Sequence, residues 1–490
     1  MSIKLLHQYA DLPEDFHARL SPTPVAAATP IAINTALASQ LGLDPEWLTG
    51  TEGVDVLAGN RLARNSQPLA QAYAGHQFAN WVPQLGDGRA HLLGEIRTPD
   101  GQIVDLQLKG SGRTPFSRGG DGRSSIGPAV REYLATEAMA ALGIPTTRAL
   151  SVMSTGEQVM RDRPEPGGVM SRVASSHVRI GTFEYFARTG RSQQVRTLAD
   201  FVIDRHDPDL AGQPERYLQL FDRVAHRTTD LVALWMSVGF VHGVMNTDNM
   251  AISGETLDYG PFGFLDVFDP DTAFSYIDRR GRYAWGQQPT IAHWNLARLA
   301  ECLLPLFHTD PNQAIEQAND RLNRIPELFE GRFHTRLCQK IGLGTSGENA
   351  ELALDLLKRM ADRQADMTLT FRALSHLEAA SDSADRQARD QFAEPASFDQ
   401  WAERWRAALD SEGGDHRQRQ RAMQAINPAF ILRNHHAQRV ADAAVKDLDF
   451  SPLHEMLEIF ARPFEEQPEH AAYQRPPKAE EVVANTFCGT

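Results

Sequence analysis

Cysteine is scarce in this chain of 490 residues. The three cysteines, Cys302, Cys338 and Cys488, are odd in number and far apart in the sequence. This excludes a disulfide framework and a zinc site built from cysteines, and it is typical of proteins in a reducing compartment. We therefore expect a cytoplasmic protein.

Long apolar runs are also absent. The most apolar segment, Leu231 to Met245, is too short for a membrane span and contains Gly239 and His242. The segment from Met1 to Leu12 lacks the basic-then-apolar pattern of a signal peptide and the arginine-rich pattern of a transit peptide. The sequence therefore predicts neither export nor insertion into a membrane.

Positive charge is in deficit. The chain has 49 Lys and Arg against 63 Asp and Glu, which gives a formal net charge of -14. This balance disfavours a bulk binder of nucleic acids or anionic membranes, so any anion site must be built locally. With 42% hydrophobic residues, the chain can bury the cores of two or three domains.

The segment from Val241 to Phe264 has the layout of a phosphotransferase catalytic loop. In kinase-like enzymes a His-containing loop carries a base Asp and then an Asn, and a later Asp-Phe-Gly motif helps to hold magnesium. Asn249 and Asp258 fit the two metal positions. The expected base position is Val244, which accepts no proton. Asp248 is the remaining carboxylate of the loop and is therefore the predicted general base.

Upstream of this loop, glycines and turn signals predict an antiparallel sheet. Two strand-like runs, Ala90 to Ile96 and Ile103 to Leu108, flank a Pro-Asp-Gly turn. Gly86 and Gly88 precede the first run, and Lys109 ends the second. A glycine loop can bring backbone N–H groups close to phosphates while a lysine on a nearby strand supplies a charge. The alternative is a plain hairpin turn and a surface lysine.

Arginines are concentrated in two places. Residues 109–125 contain five glycines and four positive charges, a composition that cannot form a core but suits an anion-binding loop, with a solvated linker as the alternative. Arg172 and Arg179 are seven residues apart, which would place both on one face of a helix. We interpret them as a polyphosphate clamp, and independent surface ion pairs are the alternative.

Pro128 begins a predicted helix that carries Glu132 and Glu137. Either glutamate could pair with Lys109, as a helical glutamate does with the strand lysine of kinases, and we choose Glu132. The alternative is that both glutamates face water near the helix N-terminus. From about residue 310 the periodicity is helical nearly throughout, with one of the polar loops predicted near Ser381 to Asp390.

Taken together, these motifs resemble the selenoprotein O family of kinase-fold protein adenylyltransferases. The resemblance is carried by Tyr73 to Phe78, Pro83 to Ala90, Lys109 to Ser125, Arg172 to Arg179, Asn246 to Met250, Asp258 to Pro261, Asn427 to Asn434 and Phe487 to Thr490. It implies an α+β, bilobal protein-kinase-like fold with an antiparallel-sheet N-lobe and a mainly helical C-lobe. We expect an N-terminal extension at 1–70, the N-lobe at 71–170, the C-lobe at 171–310 and a helical C-terminal region at 311–490.

The resemblance also implies a reaction. Such an enzyme binds ATP in reversed orientation, transfers AMP to Ser, Thr or Tyr hydroxyls of proteins and releases pyrophosphate. Asp248 would be the general base, and Asn249 and Asp258 would hold magnesium or manganese. The nucleotide would be bound by Gly86, Gly88, Arg89, Lys109, Asp121, Gly122, Arg172, Arg179 and Asp258.

Other activities stay open from the sequence. A conventional kinase would transfer the γ-phosphate, and a pseudokinase scaffold would bind nucleotide without turnover. Transfer of UMP, with manganese, is a variant of the leading hypothesis. We expect a monomer of the bacterial cytoplasm that acts on proteins and binds neither nucleic acid nor membrane.

The C-terminal tail departs from the family pattern. Eukaryotic members place selenocysteine near the C-terminus, where this chain has Cys488. The resemblance implies that some bacterial relatives pair such a cysteine with one in the activation-type loop. Here Phe264 to Arg282 contains no cysteine, and Phe274 stands about where it would be. We therefore do not expect redox gating through that disulfide.

Overall fold

The computed structural model describes residues 3–378, 385–483 and 486. In these ranges the chain forms a mixed α/β structure with an antiparallel sheet and many helices. The strands are β1 (His17–Arg19), β2 (Thr29–Ile33), β3 (Leu69–Gln71), β4 (Gly75–Gln77), β5 (Asn80–Val82), β6 (Ala90–Arg97), β7 (Ile103–Lys109), β8 (Ser124–Ser125), β9 (Arg148–Met160), β10 (Pro164–Ala174), β11 (Phe240–Val241) and β12 (Gly263–Phe264).

Helices account for most of the chain after residue 175. The α-helices are α1 (Thr35–Gln40), α2 (Pro45–Thr49), α3 (Thr51–Ala58), α4 (Ile126–Ala141), α5 (Ile180–Ala187), α6 (Ser192–His206), α7 (Arg216–Ser237), α8 (Gln288–Phe307), α9 (Pro311–Leu322), α10 (Ile325–Lys340), α11 (Gly347–Asp362), α12 (Met367–Leu374), α13 (Asp385–Arg389), α14 (Pro395–Glu412), α15 (His416–Gln424), α16 (Asn434–Asp447) and α17 (Ser451–Phe460). Among the described residues, no helix combines the length and the apolar character needed to cross a membrane.

The main sheet runs in the order β1-β3-β6-β7-β10-β9-β2, and β8 pairs with β10 outside this path. The predicted hairpin is confirmed, because β6 and β7 pair antiparallel with Ala90 opposite Lys109 and Arg97 opposite Ile103. The Pro-Asp-Gly turn between them contains Gly101 at a φ of 89°, a conformation that favours glycine. Because of this pairing, Lys109 lies opposite Ala90, the first residue of β6, immediately after the glycine loop.

The first 70 residues contribute to both edges of this sheet. β1 pairs with β3 at one edge, and β2 pairs with β9 at the other. The N-terminal segment is therefore joined to the sheet through the backbone hydrogen bonds of β1 and β2. The division of the chain into four parts stays a prediction.

Helix α4 packs against β9 and β10 and contacts α16 and α17 with its other side. The apolar side chains of Ile126, Val130 and Leu134 are spaced four residues apart and are fully buried. This two-sided burial fixes the helix, and with it the acidic side chains that it carries.

Helix α7 leads into a closed loop. β11 follows it and pairs with β12, Phe240 opposite Phe264 and Val241 opposite Gly263. Trp235 of α7 is buried and donates from Nε1 to Thr256 Oγ1 at 2.8 Å. Residues 242–262 therefore form a loop whose two ends are held together by the β11–β12 pair. The predicted base and metal residues all lie in this loop.

The C-terminal part is helical, as the sequence predicts. One loop prediction is wrong in part, because Asp385–Arg389 forms α13 inside the stretch expected to be irregular. Ala388 is fully buried and Asp385 pairs with Arg406 of α14 at 2.7 Å, so tertiary contacts stabilise this short helix against its polar composition. Residues 379–384 lie outside the described ranges.

Candidate functional site

A single carboxylate, that of Asp258, receives three cationic side chains. Lys109 Nζ lies 2.9 Å and Arg172 Nη1 2.6 Å from its Oδ1, while Arg179 Nη1 lies 2.7 Å from its Oδ2. Glu132 is the second anion, 2.7 Å from Lys109 and 3.5 Å from Arg172. Among these five contacting groups, three positive charges thus face two negative ones, an excess that an anionic ligand would neutralise.

Asp258 is held ionised in this setting. Burial opposes its ionisation, but Lys109, Arg179 and Arg172 outweigh that effect and hold the pKa of Asp258 well below its usual range. Its backbone φ of 61° lies in the left-handed region, which is uncommon for a residue other than glycine. Such strain persists where the surrounding structure fixes a functional side chain.

The predicted pairing of Lys109 with Glu132 is confirmed. Lys109 Nζ donates to both carboxylate oxygens of Glu132, at 2.9 and 2.7 Å. Glu137 instead accepts from Arg148 at 2.7 Å and from Asn34 Nδ2 at 2.8 Å. Because both glutamates accept hydrogen bonds from other side chains, neither faces water alone.

Arg172 and Arg179 do not share a helix, so helical spacing is not what brings them together. Arg172 lies in β10, which continues to Ala174 because it pairs with β7 and β9 on its two sides, and Arg179 immediately precedes α5. The two guanidinium groups nevertheless meet at Asp258, at 2.6 and 2.7 Å. They are therefore not independent surface ion pairs.

Two buried residues connect the glycine loop to this cluster. Gln107 donates from Nε2 to Asp87 Oδ2 at 3.1 Å and accepts from Arg172 Nη2 at 2.6 Å. Burial raises the pKa of Asp87 to about 6, although Arg179 opposes the shift. The sequence analysis missed Gln107, whose position two residues before Lys109 places it on the same face of the strand.

Gly86 and Gly88 lie directly over the arginine-rich stretch. Gly86 has a φ of 67°, and a Cβ on it would meet the Phe116 ring at 2.3 Å. A Cβ on Gly88 would lie 2.9 Å from the Phe116 carbonyl oxygen. Phe116 is buried, contrary to the expectation that this stretch packs no core. The adjacent Arg89 is half-buried, and its carbonyl accepts from the Gly110 N–H at 2.7 Å.

Asp121 and Gly122 stabilise the far part of the arginine-rich stretch. Asp121 pairs with Arg161 at 2.9 Å, and its side chain is 44% exposed. Gly122 has a φ of 69°, and its Cβ would lie 2.2 Å from the Gly112 carbonyl oxygen. The stretch is therefore folded back on itself rather than being a solvated linker. The described contacts do not join Asp121 to the Asp258 cluster, so its nucleotide role stays a prediction.

Asp248 is a buried carboxylate beside the β4–β5 hairpin. Its Oδ2 accepts from Gln77 Nε2 at 3.4 Å, while its Oδ1 is buried without a hydrogen-bond partner among the described residues. Burial raises the pKa of Asp248 to about 6, with Arg179 opposing. Near neutral pH the group is thus a carboxylate with a proton affinity suited to a general base.

The catalytic loop is anchored by a buried network that the sequence analysis missed. His76 Nδ1 lies 2.5 Å from Glu184 Oε1, and Thr247 Oγ1 donates to Glu184 Oε2 at 2.5 Å. The His76 N–H donates to Thr247 Oγ1 at 2.7 Å. Three chain segments, the hairpin, α5 and the loop, are joined immediately before Asp248. In the sequence, the only indication of this network is the Tyr73 to Phe78 motif, which contains His76.

Asn249 and Asp258 offer oxygen donors on neighbouring segments. Asn249 Nδ2 donates to the Val244 carbonyl at 3.0 Å, which directs its Oδ1 the opposite way. Arg179 Nη1 contacts both the Asp248 carbonyl and Asp258 Oδ2, each at 2.7 Å. No group of three or more His, Cys, Asp or Glu in the described ranges could hold a metal. An Mg²⁺ ion at this place would need phosphate and water oxygens besides these two donors, and the metal role of Asn249 and Asp258 stays a prediction.

The C-terminal tail meets the loop after β12 at one described residue. Thr486 donates its N–H to the Phe274 carbonyl at 2.7 Å. Phe274 is buried, and a Cβ on Gly263 would lie 2.5 Å from its ring. Cys488 lies outside the described residues, so the expectation about redox gating stays a prediction.

Replacing Gly75 with alanine is expected to displace Asp248, the predicted base. The new Cβ would lie 2.5 Å from Asp248 Oδ1, and Asp248 is too buried to move freely. A shift of a catalytic group by about 1 Å can cost on the order of 10²-fold in rate, so we expect a loss of about that size in turnover of the site. Steady-state kinetics compare Gly75→Ala with Gly347→Ala, whose Cβ would enter open space. Equal rates in both variants would contradict this position of Asp248.

Comparison with known proteins identifies the family. Residues 1–461 match the family model described as protein adenylyltransferase SelO. The chain is 53% identical over 486 residues to a protein nucleotidyltransferase YdiU of Rhodopseudomonas palustris strain BisB5, and 55% identical over 485 residues to one of Alkalilimnicola ehrlichii. Each alignment covers 99% of this chain and 98% of the relative. The chain therefore belongs to the protein adenylyltransferase SelO family.

Proposed function

We propose that this enzyme transfers AMP from ATP to hydroxyl groups of Ser, Thr or Tyr in other proteins. The observation that carries the proposal is the convergence of Lys109, Arg172 and Arg179 on Asp258, next to the buried carboxylate of Asp248. A cation surplus suits a polyphosphate, and an adjoining base suits an acceptor hydroxyl. The family and the nucleotidyltransferase relatives point to the same chemistry.

ATP is bound in reversed orientation in this proposal. Arg172 and Arg179 are only 1% and 2% exposed, so they form a fixed cationic wall rather than a mobile surface. Such a wall suits the charged outer phosphates of ATP better than its uncharged adenine ring. The α-phosphate is then the phosphate closest to the acceptor hydroxyl. The Gly86 to Arg89 loop, Asp121 and Gly122 complete the nucleotide site. A bilobal, kinase-like arrangement of sheet and helices would place that site between the two parts.

Asp248 acts as the general base. The acceptor hydroxyl gives its proton to the Asp248 carboxylate while the hydroxyl oxygen forms a bond to the α-phosphorus. The bond between this phosphorus and the oxygen that bridges to the β-phosphorus breaks, and pyrophosphate leaves. The buried, unpartnered Oδ1 of Asp248 supports this role, because a hydroxyl would satisfy it. Lys109, Arg172 and Arg179 stabilise the charge on the leaving phosphates.

Asn249 and Asp258 would hold magnesium, or manganese, against the phosphates. When bound, the metal neutralises phosphate charge and polarises the reacting phosphoryl group. With a metal held there, Asp258 would exchange part of its present ion pairing for the cation. Lys109, Arg172 and Arg179 would then be available to the phosphates.

The test uses ATP labelled at either the α- or the γ-phosphate, with magnesium and a bacterial protein extract as the acceptor. We expect label to enter protein only from the α position and to be lost in Asp258→Asn. Label from the γ position would show a conventional kinase, and nucleotide binding without labelling would show a scaffold. A parallel incubation with UTP labelled at the α-phosphate compares UMP with AMP transfer.

A further inference from the structure

The segment from Asp278 to Tyr283 is locally basic in an acidic protein. It carries Arg279, Arg280 and Arg282 against a single acid, while the chain as a whole has a formal net charge of -14. Arg279 and Arg280 are exposed. We propose that this segment, here called the arginine segment, docks acceptor proteins through Asp and Glu residues that flank the modified hydroxyl. The proposal rests on the proposed function and adds its acceptor specificity.

The arginine segment is tied directly to the catalytic loop. Tyr283 donates its hydroxyl to Asn246 Oδ1 at 2.6 Å, and the Phe78 N–H donates to the same oxygen at 3.0 Å. The Phe78 and Tyr283 rings meet edge to face with centroids 5.0 Å apart. Asn246 is two residues before Asp248. An acceptor bound at the segment would therefore lie beside the base.

The positive charge of the segment is not consumed by ion pairs. The Asp278 carboxylate accepts the backbone N–H groups of Arg282 and Tyr283, at 2.9 and 2.7 Å. Among the described residues, Arg279, Arg280 and Arg282 form no ion pair with a carboxylate, and the contacts of the Arg282 guanidinium are with aromatic rings. A surplus of this kind attracts carboxylates and orients them before contact.

An aromatic side chain holds part of this charge in place. The Arg282 guanidinium lies 5.1 Å from the centroid of the Trp294 ring, and that of Arg298 lies 5.0 Å from it. Arg298 is paired with Glu301, at 2.7 Å, and Arg188 shares the same glutamate at 3.5 Å. Arg188 and Arg298 thus share a single acidic partner. These neighbours therefore add to the positive charge beside the arginine segment and do not cancel it.

Exposed apolar side chains precede the arginines. Ile277 is 65% exposed, and Tyr276, which is 51% exposed, donates its backbone N–H to the Thr486 carbonyl at 3.3 Å. The acidic residues Asp269 and Asp271 lie earlier in the same loop, whose Pro270 carbonyl accepts from the Gly286 N–H at 2.8 Å, three residues after Tyr283. The exposed tip thus offers apolar contact beside positive charge, which matches an acidic segment with an aromatic or aliphatic side chain.

The experiment uses two synthetic acceptors, a random copolymer of glutamate and tyrosine and one of lysine and tyrosine in the same ratio. The full-length enzyme transfers label from ATP labelled at the α-phosphate, and kcat/KM is measured for each acceptor. The test variant is Arg279→Glu with Arg280→Glu. The control variant is Arg417→Glu with Arg421→Glu, which makes the same charge change at exposed positions of α15.

We expect the unaltered enzyme to prefer the glutamate copolymer by at least about tenfold, and we expect the test variant to lose that preference while the control variant keeps it. ATP affinity, measured by calorimetry, should stay the same in all three proteins. Equal preference in the test and control variants, or a preference of the unaltered enzyme for the lysine copolymer, would overturn the docking proposal alone. Absence of labelling of every acceptor and of the protein extract would overturn the proposed function and this inference with it.

Discussion

Asp248→Asn is expected to lower AMP transfer by about 10²- to 10⁴-fold, the usual contribution of a general base. The asparagine keeps the shape of the side chain and its contact with Gln77, but its amide cannot take the proton of the acceptor hydroxyl. ATP binding should be unchanged, because the cations that we assign to the phosphates converge on Asp258. Rapid-quench measurement of label transfer, with calorimetry of ATP binding, separates the two effects.

The pH dependence supplies the control for this prediction. Because burial raises the pKa of Asp248 to about 6, the carboxylate is protonated at lower pH and ionised above it. The rate of the unaltered enzyme should therefore rise with pH and level off above about 6, while the residual rate of Asp248→Asn should not show this step. A variant that retains both the rate and the acid limb would show that another group takes the proton.

The sequence predicts much of this cluster because the signals that it uses are local. The spacing from His242 to Asn249 puts Val244 at the expected base position and leaves Asp248 as the carboxylate of the loop, and the structure places Asp248 buried beside the hairpin. The β6–β7 hairpin and the Lys109–Glu132 pair were likewise predicted, since turn residues and helix starts are encoded by neighbouring residues. The resemblance to a family added the assignment of ligand roles to these positions.

Contacts between distant segments were harder to predict. The seven-residue spacing of Arg172 and Arg179 fits one face of a helix, but strand pairing with β7 and β9 decides the backbone at Arg172. The His76–Glu184 contact joins residues 108 positions apart, and no periodicity signals it. Gln107 looked like an ordinary strand residue until its burial and its two partners were seen. Tertiary pairing overrides local pattern at such positions.

The packing of helices against α4 was equally hard to predict from the sequence. Glu132 can reach Lys109 only because α4 is fixed between the sheet and the C-terminal helices α16 and α17. Gly127 of α4 meets Val445 of α16, where an added Cβ would lie 2.8 Å from the valine Cγ2. The helical periodicity predicted that these elements exist, but it carried no information about which faces meet. The geometry of the site thus depends on residues more than 300 positions away in the sequence.

Asp258→Asn is expected to abolish AMP transfer and to destabilise the protein in the absence of ATP. The change leaves Lys109 and Arg172 with Glu132 as their carboxylate and removes the carboxylate that Arg179 pairs with. Breaking a buried pair costs about 3 to 5 kcal/mol, and we expect the lower end because the Asp258 side chain is 21% exposed. Thermal unfolding without nucleotide should show this as a clear decrease in Tm relative to the unaltered protein.

ATP should restore more stability to this variant than to the unaltered protein. Its phosphates would supply the negative charge that the substitution removes, so the three cations gain more from binding than they do when Asp258 already pairs with them. The rise in Tm on adding ATP without metal should therefore be larger in Asp258→Asn, even though transfer of label is lost with metal present. If ATP stabilises the variant less than the unaltered protein, Lys109, Arg172 and Arg179 do not bind the phosphates, and their convergence on Asp258 is purely structural.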